Sequence, residues 1–131
     1  MSTFSEKSLQ RLATCEPALQ ELFKAVVAER DCTIIEGARS QEDQDRYFNE
    51  GKSKLRWPQG KHCKRPSQAV DVAPFIAGAI SWSAHDCIEF GQFVVAKAKE
   101  LGIGLRWGGD WDGDGDRSDQ TFNDLVHFEL K

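Results

Sequence analysis

The chain has 131 residues and only three histidines, and the setting of one of them invites a chemical reading at once. His127 alternates with Val126 and Phe128 near the end of the chain, so on a strand it projects from the face opposite the apolar set. Asp71 stands in the same relation to Val70 and Val72, with only the small Ala69 and Ala73 on its own side. A carboxylate in an apolar strand is costly unless it is paired or bound to a metal. If the two strands are neighbours, Asp71 and His127 share one face, and His62 can join them from the adjoining loop. Two imidazoles and one carboxylate make a three-ligand zinc set whose fourth position stays open for water, the arrangement of a hydrolytic site. The structural alternative is that Asp71 caps a turn or pairs with an arginine and His127 is an ordinary edge-strand residue. His85, in the first turn of a helix beside Asp86, reads as a surface residue.

Asp124 lies three residues before His127, at the turn into the strand, within reach of a zinc-bound water without being a ligand. Zinc lowers the pKa of such a water to about 7, and a nearby carboxylate can take the proton and hand it to a leaving amine. Arg39 follows the strand that ends at Gly37. It is either a fixed cation for a developing oxyanion or a surface residue at a helix start. A third constellation places Asp110, Asp112 and Asp114 at positions one, three and five of an EF-hand-like loop, with glycine at six. Position twelve is Thr121 instead of a bidentate glutamate, which leaves a solvated acidic turn or a weak calcium site as the readings.

Helices and strands must hold these side chains. Thr3 with Glu6 has the pattern of a capping box opening a first helix, and Pro17 stops it and starts a second. Leu19, Leu22, Phe23, Val26 and Val27 recur at the spacing of a helix buried on one face. Cys32 to Glu36 reads as a strand, Ser40 caps a helix ending at Gly51, and 52–67 is a long loop without period. Ala69 to Ala73 is a strand bounded by Pro74, and Phe75 to Trp82 suits a hairpin with Gly78 at its middle. Ser83 to Gly102 brackets a long helix, Ile103 to Trp107 is a strand, and Val126 to Leu130 closes the chain as another. The expected class is α+β, with helices against a small, mostly antiparallel sheet.

Composition narrows the setting. Hydrophobic residues at 40% and charged residues at 29% fit an ordinary globular domain, not a disordered or membrane-spanning chain. A net charge of −4 gives no bulk attraction to nucleic acid. The exception is the stretch from Lys52 to Arg65, six basic residues and no acid, which is a solvated loop or a contact for an anionic substrate. Without CxxC pairing or a secretory signal, Cys15, Cys32, Cys63 and Cys87 read as reduced core thiols, with Cys63 a minor metal-ligand candidate beside His62.

The segments GKHCKRPSQAVDVAPF, GARS, LRWGGDWDGDGD and NDLVHFEL, together with the opening SEKSLQRLATCEPALQELF, resemble zinc-dependent phage endolysins that act as L-alanyl-D-glutamate endopeptidases, relatives of the VanX and VanY D-Ala-D-Ala peptidases. The resemblance runs in the same order over nearly the whole chain. It implies a Hedgehog/DD-peptidase-like fold and a single zinc peptidase domain over 1–131, without a separate cell-wall-binding domain. It places the metal ligands at His62, Asp71 and His127, the general base at Asp124 and the substrate-facing arginine at Arg39. Two departures stand out: eight residues separate His62 from Asp71 where many relatives have six, and the base is Asp where VanX-like members use Glu. The implied function is hydrolysis of the L-Ala–D-Glu bond of murein stem peptides for host lysis. The partner would be peptidoglycan, with no nucleic acid and no stable membrane association. The protein would be a monomer that waits in the host cytoplasm until the inner membrane is permeabilised. The rival readings are a D-Ala-D-Ala carboxypeptidase or dipeptidase, and a catalytically silent zinc-bearing module that binds wall or protein.

Overall fold

The helices start where a side chain replaces a missing backbone acceptor. Ser5 caps α1 (Glu6–Leu12) by accepting from the Ser8 amide at 3.2 Å. The cap is therefore Ser5, not the expected Thr3, and Glu6 is the first helical residue. The Ser8 hydroxyl accepts in turn from the Ile34 amide at 3.1 Å, which ties this helix start to the first strand. Pro17 occupies the first turn of α2 (Pro17–Glu29), and all five residues of the apolar stripe are buried. Ser40 caps α3 (Gln41–Asn49) and Ser83 caps α4 (Ala84–Leu101), as their positions predict. The computed structural model describes residues 3–51, 57, 61–110 and 124–131.

Among the described residues the strands are β1 (Cys32–Glu36), β2 (Ala69–Ile76), β3 (Ala79–Ile80), β4 (Leu105–Trp107) and β5 (His127–Leu130). All pairings are antiparallel in the order β1-β2-β5-β4, with β3 folded back on β2 through a turn at Ala77 and Gly78. This is the expected α+β class. β2 runs past its expected stop at Pro74 because the β5 pairing covers only Ala69 to Asp71, so the donor-less nitrogen of Pro74 faces no strand partner. The Pro74 carbonyl still accepts from the Ser81 amide at 2.8 Å. β4 begins at Leu105 instead of Ile103, whose amide closes the end of α4 on the Ala98 carbonyl. β5 begins at His127 instead of Val126, because the His127 amide is used in a turn with the Asp124 carbonyl.

One sheet face is apolar and meets the helices. Phe128 is fully buried there, edge-on to Phe23 at 5.4 Å and to Phe90 at 6.2 Å, with Ile34, Val70 and Val72 in the same cluster. Burying one such aromatic contributes roughly 1.5 to 3 kcal/mol, so the apolar half of each strand's alternation anchors the other half. That other half carries Asp71, His127 and Glu129. All four cysteines are free and buried, and burial pushes Cys15 up to about 11 and Cys32 up to about 12, which leaves inert thiols.

Candidate metal centre

The register of β2 and β5 sets Asp71 directly opposite His127 and Ala69 opposite Glu129. His62 is on a one-turn 3-10 helix, Lys61–Cys63, that leans over this face. Its Nε2 lies 3.2 Å from Asp71 Oδ1, and His127 Nδ1 lies 3.3 Å from the same oxygen. The two imidazoles meet edge to face with centroids 5.1 Å apart. The eight-residue spacer is accommodated by a closed loop: the Lys61 carbonyl accepts from the Gln68 amide at 3.0 Å, and Ser67 is stitched to Thr14 and Glu16. The Arg39 amide, donating to the His62 carbonyl at 2.7 Å, pins the turn from the other side.

The second nitrogen of each ring is already committed. His62 Nδ1 donates to the Gly37 carbonyl at 2.7 Å, because a carbonyl can only accept. Gly37 approaches closely enough that a Cβ there would lie 2.4 Å from the Arg11 carbonyl oxygen, so the backbone bends under the histidine without a side chain. His127 Nε2 donates to Glu129 Oε1 at 2.8 Å. The nitrogens left facing Asp71 are thus His62 Nε2 and His127 Nδ1. Zinc bonds of about 2.0 to 2.1 Å in a tetrahedron put neighbouring ligand atoms about 3.3 Å apart. The two edges from Asp71 Oδ1, 3.2 and 3.3 Å, match that spacing, all three donor atoms lie within 4.8 Å of one another, and the donor types and ring orientations suit the ion as well. The residues fit a zinc ion.

Electrostatics carries the same signature. Burial would raise the Asp71 carboxyl, but hydrogen bonds and charge from His127 and His62 outweigh it and hold the group well below the usual carboxylate range. Burial would lower His127, yet its bonds to Asp71 and Glu129 push it up to about 9. In the metal-free protein the His127 Nδ1 proton stands where a metal bond would form. Asp124 is shifted upward, by burial first and then by the Asp71 charge, with His127, His62 and Arg39 pulling the other way. Its backbone is clamped to the site: its amide donates to the Gly108 carbonyl at 3.0 Å and its carbonyl accepts from His127. A Cβ on Gly108 would lie 2.1 Å from the Asp124 carbonyl oxygen.

The pattern of the phage L-alanyl-D-glutamate peptidases matches residues 1–131. The chain belongs to that family. It is 34% identical over 138 residues to the L-alanyl-D-glutamate peptidase of Escherichia phage T5, covering 97% of this chain and 96% of that one. Its fold superimposes on the Serratia marcescens L-Ala D-Glu endopeptidase ChiX with a TM-score of 0.81 at 26% identity, covering 99% of this chain and 91% of ChiX.

In this family member the structure brings together His62, Asp71 and His127 as donors, with Arg39 and Asp124 beside them. The Arg39 guanidinium forms a close ion pair with Glu36, donates to Gln44 Oε1 at 2.9 Å, stacks 4.7 Å over the Tyr47 ring and comes within 3.9 Å of Asp71 Oδ2. It is no loose surface residue. Cys63, a ligand candidate from its position, turns away: its thiol is directed at Gln44 Oε1 at 3.6 Å, outside the donor group. His85 sits in an exposed group with Asp86 and Glu89, its side chain 82% accessible. Of the acidic loop, Asp110 is described and its amide donates to the Trp107 carbonyl. Asp112, Asp114 and Thr121 lie outside the described residues, as do 52–56 and 58–60 of the basic stretch. Sequence reasoning missed Glu36, Gln44, Lys61 and Glu129. Glu129 alone left a signal, standing two residues past His127 on the same strand face.

Proposed function

We propose that this chain hydrolyses the amide between L-alanine and D-glutamate in murein stem peptides, with a zinc ion held by His62, Asp71 and His127. The observation that supports it best is the donor set, with both imidazoles at zinc-ligand spacing from Asp71 and both outer ring nitrogens engaged. Two neutral imidazoles and one carboxylate are the ligands of a catalytic zinc, whereas structural sites close all four positions with protein groups. When bound, the ion supplies Lewis acidity to a carbonyl oxygen and draws the pKa of a water toward 7.

The remaining steps belong to side chains. Asp124 accepts the proton of the attacking water and returns it to the nitrogen of D-glutamate as the C–N bond breaks, and its raised proton affinity suits both transfers. Arg39, held by Glu36 and Gln44, supplies a positive charge that needs no reorganisation as the carbonyl oxygen becomes negative. Lys64 and Arg65 put exposed cations on the loop that bears His62, which suits the carboxylates of a stem peptide. In this reading the protein is a monomeric phage endolysin, a single catalytic domain that reaches the wall from the host cytoplasm once the inner membrane is permeabilised. Among the described residues no helix is long and apolar enough to cross a membrane.

Digestion of purified sacculi with mass spectrometry of the fragments tests the reading. New N-terminal D-Glu is expected. Released D-Ala or D-Ala-D-Ala would replace it with a carboxypeptidase or dipeptidase, and zinc binding without any product would leave a wall-binding module. Asp124→Ala should keep zinc and lose activity by about 10²- to 10⁴-fold. His127→Ala should lose both.

A further inference from the structure

We infer that Glu129 is a positioning residue for the metal centre: with Lys61 as counter-ion, it fixes the His127 ring so that Nδ1 faces Asp71. The inference rests on the zinc reading above and adds a residue to it. Glu129 lies two residues beyond His127 on the same face of β5, opposite Ala69, whose small side chain leaves room for it. Oε1 accepts from His127 Nε2 at 2.8 Å. Oε2 is 3.3 Å from Lys61 Nζ and 3.6 Å from Arg106 Nη1, and Lys61 Nζ also bonds the Leu130 carbonyl. A carboxylate only 13% exposed is costly without such partners.

The geometry reaches both histidines. One oxygen of Glu129 orients the His127 ring, and the other holds the lysine next to His62, so the turn carrying one ligand is fastened to the strand carrying the other. An imidazole without an acceptor at Nε2 can rotate by half a turn and present a different edge. With Glu129 in place, a single orientation satisfies Asp71 and Glu129 together. His62 receives the same restraint from the Gly37 carbonyl, which no side-chain substitution removes. Glu129 is therefore the half of this outer restraint that mutation can reach.

Zinc affinity is measured by competition with a chromophoric chelator, and the coordinating nitrogens by long-range ¹H–¹⁵N NMR of the zinc-loaded protein. The wild-type protein should show His62 bound through Nε2 and His127 through Nδ1. Glu129→Ala should weaken zinc by about 10- to 100-fold and lose the single Nδ1 pattern of His127. Glu129→Gln keeps an acceptor for the ring but turns an amide toward Lys61, so it should fall between the two, and it decides the matter if the alanine variant does not fold. Lys61→Met should weaken zinc less than Glu129→Ala. Unchanged affinity and unchanged Nδ1 binding in the glutamate variants would overturn this inference and leave the zinc site standing. A wild-type protein that binds no zinc would overturn both.

Discussion

Replacing Gly108 by alanine adds one carbon, and the structure sets what that carbon meets. It would lie 2.1 Å from the Asp124 carbonyl oxygen, 2.9 Å from the carbonyl carbon and 3.0 Å from Cβ. Ordinary contact begins at 3.4 Å, so the two segments must separate by about 1.3 Å, and the nearest obstacle is backbone that cannot swing aside. The bonds between the Asp124 amide and the Gly108 carbonyl and between the Gly108 amide and the His127 carbonyl lie in the path of that movement. At about 1 kcal/mol each, their loss costs roughly 2 kcal/mol, which lowers the melting temperature by roughly 5 to 10 °C. The larger effect is on turnover. A misplacement of about 1 Å in a reacting group costs on the order of 10²-fold, or about 2.7 kcal/mol of barrier. Steady-state kinetics on a defined muropeptide should show kcat down about 100-fold. Zinc stoichiometry should stay at one, since His62 and Asp71 lie on other segments. A Gly108→Ala protein with kcat within threefold of wild type and unchanged melting would refute the argument that this close approach places Asp124.

Three further outcomes follow from the site. In the metal-free protein the raised His127 contributes stability that is complete below 6.5 and lost as pH rises through about 9, while the depressed Asp71 contributes stability present above 3.8 and lost below it. The metal-free protein should therefore melt highest between these limits, about pH 4 to 6.5, by calorimetry, and a melting temperature that climbs from pH 6.5 to 9 would contradict the assignment. Zinc must displace the His127 Nδ1 proton, so binding at pH 7 should release protons, seen as a buffer-dependent enthalpy, and should weaken on acidification. Gln44→Leu removes a buried acceptor from Arg39 and should lower kcat by about 10-fold at unchanged zinc affinity, because a charge-assisted bond is worth about 1.5 to 3 kcal/mol. An unchanged kcat would show that Glu36 and Tyr47 alone hold the arginine.

The alternation around Asp71 and His127 made two candidates legible, because a polar residue between apolar neighbours on a strand has its face fixed by the burial of those neighbours, and the family resemblance joined them with His62, Asp124 and Arg39 into one site. Local signals of other kinds placed β1 by its β-branched residues, α2 by its apolar period, and the caps at Ser40 and Ser83 by their side-chain oxygens. Pairing was less legible. That β5 lies between β2 and β4 depends on β2 pairs more than fifty residues away and β4 pairs more than twenty away, for which local pattern has no term. The cap at Ser5 was missed because its selection depends on Ser8 bonding Ile34, a tertiary contact. Gln44 and Lys61 escaped for a related reason: each is a common polar residue whose role exists only once α3 and the His62 turn have been folded against the sheet.

The sheet order has a kinetic corollary. β5 is the wedge between two strands that do not pair with each other, so until it docks the sheet has a gap, with the 69–71 edge of β2 and the inner edge of β4 unpaired. A folding species lacking β5 would hold His62 and Asp71 but neither His127 nor the turn that carries Asp124. In the proposed mechanism it would lack one metal ligand and the general base. Docking of this one short strand thus closes the sheet and completes the proposed site in a single event, and ions captured by the completed site would pull slow, long-range strand pairing toward the native state.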